Sequence, residues 1–179
     1  MEETLKSQQA KLIDLEDRNR RSNLIVFGIP EIPNETASLL RDKVINKVFL
    51  EKMGVSCTSV ARIHRLGKSS EGKPIIVYFQ DYAEKHSVMQ NARKLKGTNI
   101  SIQGDYCADT RRKRKLLWNS AKADKDGGKR VQLIHDKLRI DDQYFSWDDA
   151  SNSRKKISAT DSSRRRKQKF GTNCSATES

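Results

Sequence analysis

Aromatic residues make up only 6% of this 179-residue chain, and its mean hydropathy is −0.82. So few large rings exclude one extensive core; the cores must be small and built mainly from Ile, Leu and Val. Cysteine is scarce as well. Cys57, Cys107 and Cys174 are odd in number and far apart, with no Cys-x-x-Cys pair and no histidine at ligand spacing. A disulfide framework and a structural zinc site both lack support. No run of about 18 apolar residues occurs, and no charged-then-apolar leader opens the chain. The expectation is a soluble intracellular protein without a membrane partner.

Catalytic signatures are missing too. Gly67-Lys68-Ser69 invites a phosphate-loop reading, yet that motif needs a glycine five positions earlier and Arg62 stands there. The pairs Asp141, Asp142 and Asp148, Asp149 could suggest a metal nuclease, but no third carboxylate sits at a recognisable spacing. Turns explain them more simply. His64, His86 and His135 have no serine or cysteine partner in a nucleophile motif. The chain reads as a non-enzyme with no cofactor.

What the chain does have is positive charge. Lys and Arg number 36 against 23 Asp and Glu, a net charge of +13 with a pI near 9.8. A polyanion is the natural partner. The excess is most lopsided beyond residue 150, at 8 against 2, and balanced over residues 1–22. Five basic residues in a row, Arg111, Arg112, Lys113, Arg114 and Lys115, open a stretch of helical character. Helical positions advance about 100° each, so five in succession go more than once round the axis. They are either a solubilising surface or counter-charge for phosphate.

Four segments follow from pattern. Residues 1–22 carry Leu5, Leu12 and Leu15 at heptad-like spacing, with Gln8, Asn19 and Ser22 at the other seam positions. That is a short coiled-coil helix able to self-associate. Residues 23–103 run strand, helix, strand, strand, helix, strand. "NLIVFGIPE" is an apolar strand, and "NETASLLRDKVINKVFLEKMGV" a helix with Leu40, Val44 and Val48 inward and Leu39 and Ile45 on the flank. Asn34 or Thr36 would cap it. "SVARIHRLG" and "KPIIVYFQ" are strands, Asp81 and Glu84 form a capping box, and "TNISIQG" closes the unit. This order is the split βαβ, ferredoxin-like arrangement used by RNA-recognition motifs (RRMs). The expected fold class is therefore α+β: an RRM-like βαββαβ domain, preceded by the short coiled coil and followed by a small α+β domain. That last domain, residues 104–150, holds a helix near 110–126 and strand-like pieces "RVQLI", "KLRID" and "QYFSW". Residues 151–179 read as a basic disordered tail.

In an RRM-like register Ile25, Phe27, Ile76 and Tyr78 face the open sheet surface, where Pro74 and Ile76 replace the usual third-strand stacking aromatics. Basic residues gather at the edges instead: Arg62 and Arg65, Lys68 and Lys73, then Arg93, Lys94 and Lys96. Arg130 and Lys137 open the first two strand-like pieces of the small domain and are counted with them. Singly each is an ordinary surface charge; together with 111–115 they favour contacts to backbone phosphate.

"LEDRNRRSNLIVFGIPE", "ARIHRLGK", "PIIVYF", "NARKLKGTNISI" and "DYCADTRRKRKLL" together resemble, in order and spacing, the RNA-binding protein of the first open reading frame of LINE retrotransposons. The resemblance covers residues 12 to about 147. It implies a coiled-coil homotrimer whose RRM-like and C-terminal domains clamp single-stranded nucleic acid between them. It also implies a nucleic-acid chaperone in the element's ribonucleoprotein particle, binding its own transcript and DNA for transposition, in the cytoplasm with access to the nucleus. By the same resemblance Arg93, Arg114 and Lys115 fall on nucleic-acid-contacting positions. Lys115 stands where arginine is usual, keeping charge but losing the bidentate fork. Ile134 or His135 stands where an aromatic is common. Two other readings compete: a protein–protein adaptor with a basic nuclear-targeting tail, and an inactive, degenerate fragment of an element.

Overall fold

A computed structural model describes residues 2–67 and 72–158, which fall into two compact units, Met1–Cys107 and Ala108–Ser179. It is an α+β structure with an N-terminal helix and two antiparallel four-stranded sheets.

The first helix, α1 (Glu2–Arg20), carries i,i+4 pairs between Arg18 and Asp14 at 2.8 Å and Arg20 and Glu16 at 2.9 Å. Its C-terminal end is fastened to the first unit. Arg20 Nη1 donates to both Asp105 carboxylate oxygens at 3.2 Å, and the Cys107 backbone N–H donates to Asp17 Oδ1 at 2.8 Å. Leu5, Leu12 and Leu15 point away, each more than half exposed.

Strands β1 (Asn23–Phe27), β2 (Val60–Arg65), β3 (Ile75–Phe79) and β4 (Ser101–Gly104) form the first sheet in the order β2-β3-β1-β4. Period-2 alternation sends Leu24 and Val26 of β1, and Ile75, Val77 and Phe79 of β3, to one face. There they meet α2 (Ala37–Arg41), which continues as a π-helical segment Asp42–Lys52, and α3 (Tyr82–Asn91), which ends in a 3₁₀ turn Ala92–Leu95. Thr36 caps α2, its hydroxyl accepting from the Leu39 N–H at 3.2 Å. Gly28 closes β1 with φ +84°, and a Cβ there would lie 1.9 Å from the Asn99 carbonyl oxygen. Only glycine fits both demands.

Two local expectations fail for identifiable reasons. Helical spacing of 3.6 places Leu39 on the flank of the core, yet it is exposed, while Phe49 and Met53 are fully buried. The i→i+5 bonding of the π segment, with Met53 N–H on the Val48 carbonyl at 3.1 Å, lengthens each turn and rotates the later residues inward. The capping box does not close either. Asp81 accepts from the Ala83 N–H at 2.8 Å, but Glu84 is captured by the backbone N–H and hydroxyl groups of Thr58 and Ser59 at 2.7–3.0 Å. Burial alone would raise the Glu84 carboxyl, but these donors, those of Ser59 foremost, hold it at about 2.

The second unit places α4 (Ala108–Ser120) against one face of a meander, β5 (Val131–Ile134), β6 (Lys137–Ile140), β7 (Gln143–Asp148) and β8 (Ser153–Ile157), and the short α5 (Lys122–Asp126), with no buried residue, follows α4. Leu117, Ala121, Leu138 and Ile140 form the buried centre. The single helix expected over 110–126 breaks at Ala121, which leaves helical geometry at φ −99°, ψ 6°. The expected disordered tail needs correcting. Residues 153–157 are the fourth strand, held because Arg154 donates to the Ser120 carbonyl at 3.2 Å, pairs with Asp124 at 2.7 Å and lies over the Phe145 ring. An amphipathic cation serves here as the inward-facing residue. The remainder of the tail, 159–179, lies outside the described residues.

Candidate functional site

The basic residues singled out from sequence separate into those committed to the fold and those left facing solvent. Arg65 is committed. Its side chain is 8% exposed, bridges Glu35 at 2.6 Å and donates to the backbone carbonyls of Ile29, Pro30 and Lys73. Lys43 reaches the same carboxylate at 2.9 Å. The Arg65 hydrogen bonds, with Lys43 in support, outweigh burial and hold the Glu35 carboxyl at about 2. Arg65 thus ties the start of α2 to β2 and, contrary to the expectation from sequence, is not a free cation for nucleic acid. Lys94 is also occupied, donating to the Met53 carbonyl at 2.6 Å, and Lys73 pairs with Glu31 at 3.3 Å. Lys68 lies outside the described residues.

Two neighbours remain available. Arg93 and Lys96 are exposed at the end of α3 and line a recess of about 420 Å³ floored by Leu95, Ile100 and Ile102. On the sheet face away from the core, register aligns Arg62 with Tyr78 and His64 with Ile76, and β1 adds Ile25 and Phe27. The Arg62 guanidinium lies 5.2 Å over the Tyr78 ring. Ile25 is buried there, while Ile76, Tyr78 and Phe27 are half-buried.

In the second unit the five-residue basic run divides the same way. Arg112 forks to Asp149 at 2.7 and 3.1 Å and to Asp109 at 2.8 Å, and Lys113 joins Asp109 at 2.8 Å. Burial pushes the Asp109 carboxyl up, but Lys113 and Arg112 outweigh it and the net shift is downward. Arg112 holds Asp149 down as well. Arg114 Nη1 donates to the His135 carbonyl at 2.5 Å, bracing the β5–β6 turn where His135 adopts φ 51°. Arg111 and Lys115, one turn apart, are exposed and without an ion-pair partner among the described residues. Arg130 is exposed, its backbone N–H on Asp141 at 3.0 Å, and Lys137 pairs with Asp136 at 3.3 Å.

No protein-family model matches this chain. Its chemistry has to be read from its own groups. Among the described residues no three His, Cys, Asp or Glu side chains are placed to hold a metal ion. Each acidic pair serves a turn or a cation: Asp141 binds the Arg130 N–H, Asp142 pairs with Arg139, Asp148 with Lys155 and Asp149 with Arg112. Burial, and then Glu84, raises the Cys57 thiol to about 11, so it is no nucleophile near neutral pH. No described helix is long and apolar enough to cross a membrane.

The sequence reading missed the aromatics that cations seek out. Tyr82, exposed at the start of α3, has the Arg21 guanidinium at 5.0 Å, the Lys85 ammonium at 5.6 Å and the His86 ring stacked at 6.3 Å. Trp118 carries Lys125 at 4.8 Å, and Tyr144 carries Arg139 at 5.9 Å. Arg21 and Tyr82 are far apart in the chain, so no spacing rule brings them together. Nor does helical spacing bring Trp118 and Lys125 together, since residues seven apart on one helix lie about 10 Å apart along its axis; they meet across the bend at Ala121.

Proposed function

We propose that this protein is a non-enzymatic binder of single-stranded RNA and DNA, the nucleic-acid chaperone of a LINE-type retrotransposon ribonucleoprotein. One observation carries the reading: Arg93, Lys96, Arg111 and Lys115 are exposed and lack carboxylate partners among the described residues, in a chain of net charge +13. Uncompensated cations at short intervals suit a phosphate backbone, because each contact releases condensed counterions. Each unit also carries an exposed aromatic under a cation, Tyr82 in the first and Trp118 in the second, which suits unstacked bases.

The first unit supports a finer fold reading. Its element order β1-α2-β2-β3-α3-β4, its strand order β2-β3-β1-β4 and its two helices on one face favour the ferredoxin-like, RRM-like class. The exposed seam Leu5, Leu12 and Leu15 favours a homotrimer through α1. Filter binding to a single-stranded RNA, the matching DNA strand and the duplex, at two salt concentrations, tests the reading. Single strands should bind more tightly than duplex, and binding should weaken steeply with salt. Absence of binding to any strand at low salt would leave the adaptor reading in its place.

A further inference from the structure

Along α4, Arg111, Lys115 and Trp118 occupy positions i, i+4 and i+7, and all three are exposed. Such positions stack on one side of a helix, about 6 Å apart per turn. The chain bends at Ala121, and α5 extends the stripe with Lys122 and Lys125, both exposed. Trp118 therefore sits with two cations before it and two after it. It also forms a wall of a recess of about 280 Å³ completed by Ala121, Lys122, Lys125, Asp126 and Val131. Nothing in core formation asks for a tryptophan here, because Leu117 and Ala121 supply the buried contacts of this helix and Trp118 is 38% exposed.

We infer that Trp118 is a base-stacking platform, and that the recess beside it takes one unstacked nucleobase of a single strand whose phosphates run along Arg111, Lys115 and Lys122. The inference rests on the single-strand reading above and deepens it. Three features decide for a base over a phosphate in the recess itself. The Trp118 face is a large π-surface, Ala121 and Val131 are apolar, and the Asp126 carboxylate repels a second anion. The Lys125 ammonium covers the ring at 4.8 Å in the free protein. An exposed cation–π contact is weaker than base–aromatic stacking, so an arriving base displaces it. The freed ammonium is then a further counter-charge for the adjoining phosphate.

The chain has two tryptophans, Trp118 and Trp147. The Trp147 indole N–H is buried with no hydrogen-bond partner among the described residues, so Trp147→Phe breaks no protein hydrogen bond and leaves Trp118 as the single tryptophan, excited selectively beyond the tyrosine absorption. The test titrates this variant with oligothymidylate and with an abasic oligonucleotide of equal length. Oligothymidylate should quench Trp118 and the abasic strand should not. In the otherwise unaltered chain, Trp118→Ala should weaken oligothymidylate binding about 5- to 150-fold while abasic binding stays constant, and Trp118→Phe should keep most of the affinity. Intact binding with equal quenching by both strands, or unchanged affinity in a folded Trp118→Ala protein, overturns this inference alone. No binding of either strand by the unaltered chain overturns it together with the reading it rests on.

Discussion

The division of the basic run into free and paired charges has a measurable consequence for salt dependence. Consider two double substitutions, Arg111→Ala with Lys115→Ala and Arg112→Ala with Lys113→Ala. Each removes two positive charges from the same helix, so net charge alone predicts identical behaviour. The structure predicts a difference. Arg111 and Lys115 are exposed without ion-pair partners among the described residues, whereas Arg112 and Lys113 share Asp109, and Arg112 also forks to Asp149. A phosphate contact on a single strand contributes about 0.7 to the log–log slope of affinity against salt. Losing Arg111 and Lys115 should therefore lower the slope by about 1.4, which over a tenfold change in salt is about 25-fold in affinity. Losing Arg112 and Lys113 should lower it by less than half as much, because each must first leave a carboxylate to meet a phosphate. Stability should move the other way. The first pair should shift it by no more than about 0.5 kcal/mol. The second should cost about 0.5–1 kcal/mol, since Arg112 is 47% exposed and solvent screens its bridges. Filter binding from low to high salt gives the slopes, and urea unfolding gives the stabilities. Equal slope losses from the two doubles would refute the argument that intramolecular pairing decides which cations are available.

Three more outcomes follow from particular contacts. The Glu35 carboxyl lies near 2 in the folded chain against an ordinary 4.5, so it stabilises above about 4.5 and that contribution disappears as pH falls toward 2. The full shift corresponds to roughly 3 kcal/mol; Glu35→Gln should remove that share of the pH dependence of unfolding in this window and leave the share of Glu84, which is held equally low, and an unchanged acid profile would deny the Arg65–Glu35 bond its role. Ending the chain after residue 158 should leave the second unit folded, whereas ending it after residue 150 removes β8 with the Arg154 contacts to Ser120, Asp124 and Phe145 and should unfold or strongly loosen it. Circular dichroism melts distinguish the two. Light scattering should show a concentration-dependent trimer that Leu5→Asp with Leu12→Asp abolishes, and a strict monomer at high concentration in the unaltered chain would remove the oligomer reading.

Period and punctuation carried much of this protein in its sequence. The 2-residue alternation of "KPIIVYFQ" announces β3 with Ile75 and Val77 inward, and the Gly-Gly after residue 126 marks where helix gives way to meander, because backbone geometry dictates both locally. The net charge and the absence of recognisable catalytic motifs likewise needed no coordinates. Tertiary structure alone decided how each polar side chain is used. Glu84 had a local partner in prospect and went to Thr58 and Ser59, since several converging donors outcompete one backbone N–H. Arg65 looked like a surface cation until the start of α2 brought Glu35 and three carbonyls around it. Within five consecutive basic residues, the helix phase and the turn after β7, which brings Asp149 back, separated Arg112 from Arg111 and Lys115. A charge pattern in one dimension records how many cations a surface has. Which of them remain free depends on carboxylates and carbonyls that arrive from distant parts of the chain, because ion pairs and hydrogen bonds act over only a few ångströms.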